Sequence, residues 1–121
     1  MAGHSSAFLD VVNDAKSKIK QIDSPELAAC LAADPQAVLI DTREDREFAA
    51  AHVVGAVHMG KGVIERDIEA KVPNKDTALY LYCGGGFRSA LAAEAIQRMG
   101  YTNAINVDGG WRSLKELMST E

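Results

Sequence analysis

Three short runs of β-branched, aliphatic and aromatic residues, each ending abruptly in polar ones, constrain the fold of this chain most. Val38-Leu39-Ile40 runs into Asp41-Thr42-Arg43, and Ala78-Leu79-Tyr80-Leu81-Tyr82 into Cys83-Gly84-Gly85-Gly86-Phe87-Arg88. The third, Ala104-Ile105-Asn106-Val107, ends in Asp108-Gly109-Gly110. Such runs mark strands buried on both faces of a sheet. Helical spacing fills the gaps, over Asp45 to Ala51, over Val63 to Ala70, and over Ser89 to Met99, which Gly100 closes. A last helix starts near Trp111. Lys20 to Asp23 and part of Val53 to Met59 read as brief further strands. This alternation predicts a three-layer α/β domain, with a central, mostly parallel sheet of about five strands and helices on both faces. Ligands of such sheets bind beyond the carboxyl ends of the strands, so the three polar exits should converge where the chemistry is.

Upstream, Ser5 to Ile19 offers a serine cap followed by Phe8, Leu9, Val12, Ala15 and Ile19, a spacing that puts apolar residues on one helical face. Residues 1–18 therefore read as an amphipathic helical extension of a domain over residues 19–121. Ser24-Pro25-Glu26 reads as an N-cap with proline in first position, opening a helix that turns Leu27, Cys30 and Leu31 inward. With 121 residues the chain has room for one core. A formal charge of −4 argues against a nucleic-acid partner. No apolar run approaches the ~20 residues of a membrane span, and the start lacks the pattern of a signal peptide. Two cysteines far apart make no disulfide framework, so a cytoplasmic, reducing setting is expected.

The loop after Tyr82 carries the chemistry. A thiol reacts as its thiolate, which needs positive potential nearby. Amides of Gly84, Gly85 and Gly86, freed to take positive φ, can curl around an anion. The helix behind them points its N-terminal dipole at the same spot, and Arg88 adds a charge. A tight strand-to-helix turn with Cys83 as a small buried side chain would explain the glycines alone. It does not explain the cysteine, glycine triplet, arginine and helix start together.

These residues resemble a known family. Tyr82-Cys83-Gly84-Gly85-Gly86-Phe87-Arg88-Ser89-Ala90 resembles the active-site loop of the rhodanese-type sulfurtransferases. Leu39 to Glu44 with Glu47-Phe48, His52 to His58, and Gly100-Tyr101 through Val107 to Trp111 resemble its other motifs, in the family's order. The likeness runs from about Ile19 to Leu117, and several motifs in register are far more specific than one. Departures are Ala51 and Val54, where glycine and proline are frequent, and Leu114, where a second tryptophan often stands. The resemblance implies a cysteine that takes sulfane sulfur from a small sulfur-containing anion such as thiosulfate, or from a thiol persulfide. It would hold the sulfur as a persulfide and pass it to cyanide, a thiol or a protein acceptor. Cys83 takes that role, with Gly84, Gly85, Gly86, Phe87, Arg88 and Ser89 as the persulfide-binding loop and no cofactor. Four residues separate Cys83 from Arg88, as in the sulfur-transferring members; related phosphatases and arsenate reductases have a loop one residue longer. A hydrolase on the same fold and a non-enzymatic sulfur relay or binding module are the alternatives.

Around the loop, Arg43 either steers an anionic donor or forms a surface salt bridge with Glu44 or Glu47. Asp41 reads as structural, because a carboxylate beside a thiolate would raise the cysteine's pKa. Phe87 and Trp111 either line the mouth or pack beneath loops, and packing suits Trp111. Cys30 is read as core, with a resolving thiol as the alternative. His52 and His58 read as hydrogen-bonded structural side chains, and no spacing in the chain suggests a metal site.

Overall fold

The computed structural model describes residues 3–121. In chain order the elements are α1 (Ser6–Lys18), β1 (Lys20–Asp23), a 3-10 turn (Ser24–Glu26), α2 (Leu27–Ala33), β2 (Val38–Asp41), α3 (Asp45–Ala50), β3 (Val57–His58), α4 (Ile64–Lys71), β4 (Leu79–Tyr82), α5 (Arg88–Arg98), β5 (Ala104–Asp108) and α6 (Gly110–Leu117). The five strands form one sheet in the order β1-β5-β4-β2-β3, with every pair parallel. The α/β class, the strand count and the parallel sheet therefore agree with the sequence reading.

Side-chain alternation along the strands divides the core in two. Ile40, Leu79, Leu81 and Ala104 face α4 and α5, against Ile64, Ile68, Ala92, Ala93 and Ile96. Leu39, Tyr80, Tyr82 and Val107 face the other way, against Leu27, Val53 and Leu114. Burial on both faces is why these strands read as unbroken apolar runs. Leu114, at the variant tryptophan position, is fully buried in the second core.

α1 lies along α5, with Val12 and Ala15 fully buried. Its start is capped as the sequence predicts, Phe8 N donating to Ser5 Oγ at 3.1 Å. The next cap differs by one residue. Asp23, not Ser24, precedes the turn that carries Pro25, and Ser24 Oγ donates instead to Asp108 O at 2.7 Å. That bond ties the ends of β1 and β5 together, which outweighs a local capping role for a buried hydroxyl. The strand expected within Val53 to Met59 shrinks to Val57–His58, preceded by a bridge from Val53 to Thr120.

Candidate active site

β4 ends at Tyr82 in the middle of the sheet, so Cys83 leaves it between the carboxyl ends of β2 and β5. Its side chain is 1% exposed and lies against a cavity of about 220 Å³. That is below the ~300–1,000 Å³ of sites for drug-sized molecules, so the occupant is small. A larger, shallow hollow of about 400 Å³, lined by Glu44, Asp45 and Arg46, contains no nucleophile.

The loop is shaped from outside by α6. Trp111 N donates to Cys83 O at 2.6 Å and Arg112 N to Gly84 O at 3.1 Å. Gly110 permits this docking, since its φ is +53° and a Cβ there would collide with Cys83 O. In a planar peptide the N–H points opposite to its carbonyl, so holding the carbonyls toward α6 turns the amides that follow them away from it. Gly86 N donates to Cys83 Sγ at 3.2 Å, and the start of α5 places Ser89 Oγ at 3.4 Å from the same sulfur. Of the glycine triplet only Gly86 has positive φ, at +93°. The expectation that all three take that conformation is corrected: a Cβ on Gly84 would lie 3.2 Å from Arg88 Nη2, so the small side chain there serves close approach of the guanidinium.

Burial pushes the Cys83 thiol up, but the Ser89 hydroxyl and the amides of Ser89, Gly85 and Gly86 outweigh it, so the net direction is down. Behind Ser89 stands Asn106, fully buried in β5, a residue the sequence reading did not single out. Ser89 Oγ lies 2.6 Å from Asn106 Oδ1, while Asn106 Nδ2 donates to Gly86 O at 3.1 Å and to Gln21 Oε1 at 3.0 Å. One hydroxyl proton serves either the amide oxygen or the sulfur. With a thiol present, S–H can donate to Ser89 Oγ; once the sulfur is ionised, the hydroxyl can turn to it. A polar residue inside an otherwise apolar strand was the available signal for Asn106.

The arginines are arranged differently from expectation. Arg88 reaches the cavity, but its fork closes on Glu47, with Nη1 to Oε2 at 2.9 Å and Nη2 to Oε1 at 3.3 Å. The Arg88 guanidinium holds the Glu47 carboxyl at about 2, against burial that pushes the other way. Arg43 is neither a steering residue at the mouth nor a surface pair with Glu44 or Glu47. It is 4% exposed, its Nε lies 3.1 Å from both Asp41 oxygens, and its Nη2 donates to Asp41 Oδ2 and Ala51 O, each at 2.7 Å. A buried guanidinium needs a carboxylate, and the bend at Arg43, just after Thr42 is bonded twice to Tyr82 O, puts Asp41 in reach. Asp41 Oδ1 also accepts from Arg43 N at 2.9 Å, the structural role expected of it. Trp111 covers this pair, its ring 4.5 Å from the Arg43 guanidinium, while Phe87 lines the cavity.

Three lining residues were missed by the sequence reading: His4 and Phe8 at the start of α1, and Arg112 in α6. Arg112 directly follows the closing motif, and its position in the first turn of a helix at the carboxyl edge was its only signal. Cys30 packs beside the Tyr80 cluster and does not line the cavity. His52 Nδ1 donates to Phe48 O and His58 Nε2 to Arg43 O, each at 2.8 Å, because a carbonyl can only accept. Among the described residues no three His, Cys, Asp or Glu side chains converge. No helix among the described residues is long and apolar enough to cross a membrane.

The sequence model of the rhodanese-like domain matches residues 24–117. Thiosulfate sulfurtransferase GlpE of Pseudomonas entomophila is 34% identical over 100 residues, covering 80% of this chain and 88% of its own length. Putative sulfur carrier protein YrkF of Bacillus subtilis is 31% identical over 96 residues, and this chain spans only about half of that relative's length, 51%. In three dimensions, a protein of unknown function from Rhodopseudomonas palustris, titled a possible tyrosine phosphatase, covers 100% of this chain at a TM-score of 0.81 and 25% identity. The match over most of the chain, around a cysteine loop seated between central parallel strands, makes it a member of the rhodanese-like family, whose named relatives include sulfurtransferases.

Proposed function

We propose that this protein is a sulfurtransferase that carries sulfane sulfur on Cys83, with residues 19–121 as the transferring domain and residues 1–18 as an extension of it. The observation that carries this reading is a buried sulfur receiving Gly86 N at 3.2 Å and approached by Ser89 Oγ at 3.4 Å, with its thiol pKa held down. In the first step the Cys83 thiolate attacks the outer sulfur of thiosulfate or a thiol persulfide. A Cys83 S–S bond forms, the donor's S–S bond breaks, and sulfite or thiolate leaves with the electron pair. In the second, cyanide, a small thiol or a protein thiol attacks the terminal sulfur and Cys83 leaves as thiolate. The amides of Gly85, Gly86 and Ser89, with the Ser89 hydroxyl, favour the thiolate, and the loop from Gly84 through Phe87 and Arg88 to Ser89 would hold the persulfide's charge in the same place, so little reorganises between the steps. Asp41 and Arg43 brace the loop through Trp111 and do not meet the substrate. No cofactor is needed, and a cytoplasmic setting keeps Cys83 reduced.

Incubation with thiosulfate is expected to add one sulfur atom to the intact mass, removable by cyanide and absent from Cys83→Ser. An adduct that persists in Cys83→Ser would sink the assignment. The likeness to a possible tyrosine phosphatase favours a second reading, a hydrolase, which requires Cys83-dependent turnover of an aryl phosphate. The short loop from Cys83 to Arg88 supports sulfur over a tetrahedral oxyanion, so this turnover is expected to be absent.

A further inference from the structure

The walls of the Cys83 cavity come from different parts of the chain, and they differ in chemistry. One side is aromatic. The rings of His4 and Phe8 lie 5.1 Å apart, and Phe87 sits 4.9 Å from His4 and 6.3 Å from Phe8. Lys16 Nζ lies over the Phe87 ring, 4.9 Å from its centroid, and is itself paired with Asp108 at 3.3 Å. His4, just before α1, and Phe8, in its first turn, both fall outside the span matched by the family, residues 24–117.

On another side lie two guanidiniums with different freedom. Arg88 is held in a fork by Glu47, so its charge is largely balanced before any ligand arrives. Arg112 lines the same cavity, its backbone is fixed on Gly84 O, and its Nη1 approaches the loop at Gly85. Among the described residues no carboxylate is within ion-pair distance of it. An arginine fork without a partner suits a planar carboxylate.

We propose that Arg112 and the α1 wall select the sulfur-carrying partner of this site: a small organic thiol, or its persulfide, that bears a carboxylate. The carboxylate meets Arg112, the carbon chain lies against Phe8 and Phe87, and the thiol sulfur reaches Cys83. A bare inorganic anion can use the arginine but leaves the aromatic wall idle. A neutral thiol does the reverse. This inference rests on the sulfur-transfer reading and names its substrate class.

The test compares 3-mercaptopropionate with its neutral isostere 3-mercaptopropionamide as acceptors from sulfur-loaded Cys83, by kcat/KM, on the full chain. In the wild type the acid is expected to be favoured about tenfold, the worth of one charge-assisted bond at a part-exposed site. Arg112→Ala should bring the acid-to-amide ratio down about tenfold, Arg112→Lys should keep part of it, and Arg112→Glu should invert it. Phe8→Ala should slow acid and amide together, by about threefold, and leave their ratio alone. Loading by thiosulfate is followed separately by mass. If Cys83 loads and turns over but the ratio ignores Arg112, the selectivity proposal is overturned and sulfur transfer stands. If no donor ever loads Cys83, the sulfur-transfer reading itself fails, and this inference falls with it.

Discussion

Around the Cys83 sulfur the polar groups are partnered and shut away from solvent, whereas at the rim of the same cavity Arg112 and His4 meet water. The floor takes its shape from distant elements: α6 on the carbonyls of Cys83 and Gly84, Asn106 of β5 on Gly86 O, and Gln21 of β1 behind Asn106. The rim takes its shape from the outer turn of α1 and one long side chain of α6. Over-determined geometry suits the floor, because stabilising a thiolate depends on donors that do not move. Looser geometry suits the rim, where different partners must enter and leave. On the proposed reading, chemistry sits on the buried, hydrogen-bonded floor and selectivity at the exposed rim, and substitutions can separate them.

The largest effect is expected at Gly110. Gly110→Ala drives a methyl into Cys83 O and should cost on the order of 3 kcal/mol, as overpacking does, read as a fall in Tm of roughly 10 °C. Gly62→Ala, with nothing within 4 Å of the new methyl, is the matched control and should leave Tm within about 2 °C. Equal effects at the two glycines would mean that α6 does not clamp the loop.

Next is Asn106→Leu, which strands the Ser89 hydroxyl and Gly86 O and should lose about 1–3 kcal/mol in urea unfolding. Ser89→Ala should cost less stability but move the pH midpoint of Cys83 alkylation by iodoacetamide upward, since the hydroxyl is the main group lowering that pKa. A midpoint that stays put would remove Ser89 from the floor.

The Glu47–Arg88 fork lies between floor and rim, and it predicts a pH effect of definite sign. The Glu47 carboxyl titrates near 4.5 when unfolded and about 2 when folded, chiefly through its bonds to Arg88. Between those values the unfolded chain binds more protons, so the stabilisation is complete above the upper pH and drains away as pH falls toward the lower. Urea midpoints measured at pH 5 and pH 3 should therefore drop less in Glu47→Gln than in the wild type.

What the sequence disclosed follows the same division. Strands buried on both faces announce themselves as apolar runs, and the cysteine, glycines and helix start are contiguous, so sheet and loop were legible together. The partners of charged side chains were not. Arg43 turned inward to Asp41 because the chain bends at Arg43 itself, and Arg88 met Glu47 across 41 residues of sequence. The first pair is local, but two nearby charges do not say whether the arginine points inward or to solvent, and the second leaves no local pattern. Nor does the arrival of His4 and Phe8 at the mouth, which depends on how α1 settles along α5. The apolar stripe of α1 predicted that it would bury one face, and Val12 and Ala15 do so. The stripe says nothing about which end of the helix overhangs the cavity.

The smallest effect tests whether rim and floor are separable at all. Ser5 Oγ caps α1 by accepting from Phe8 N at 3.1 Å, so Ser5→Ala should loosen the turn that presents Phe8 by about 1 kcal/mol. Because a helix end frays locally, little of this should reach the global unfolding free energy. Amide exchange should quicken in the first turn of α1 and stay slow at Gly86 and Ser89. Alkylation of Cys83 should keep its pH midpoint, since none of the donors on the sulfur comes from α1. If that midpoint moves with the cap, then α1 helps to set the electrostatics of the thiol, and rim and floor must be treated as one cooperative site.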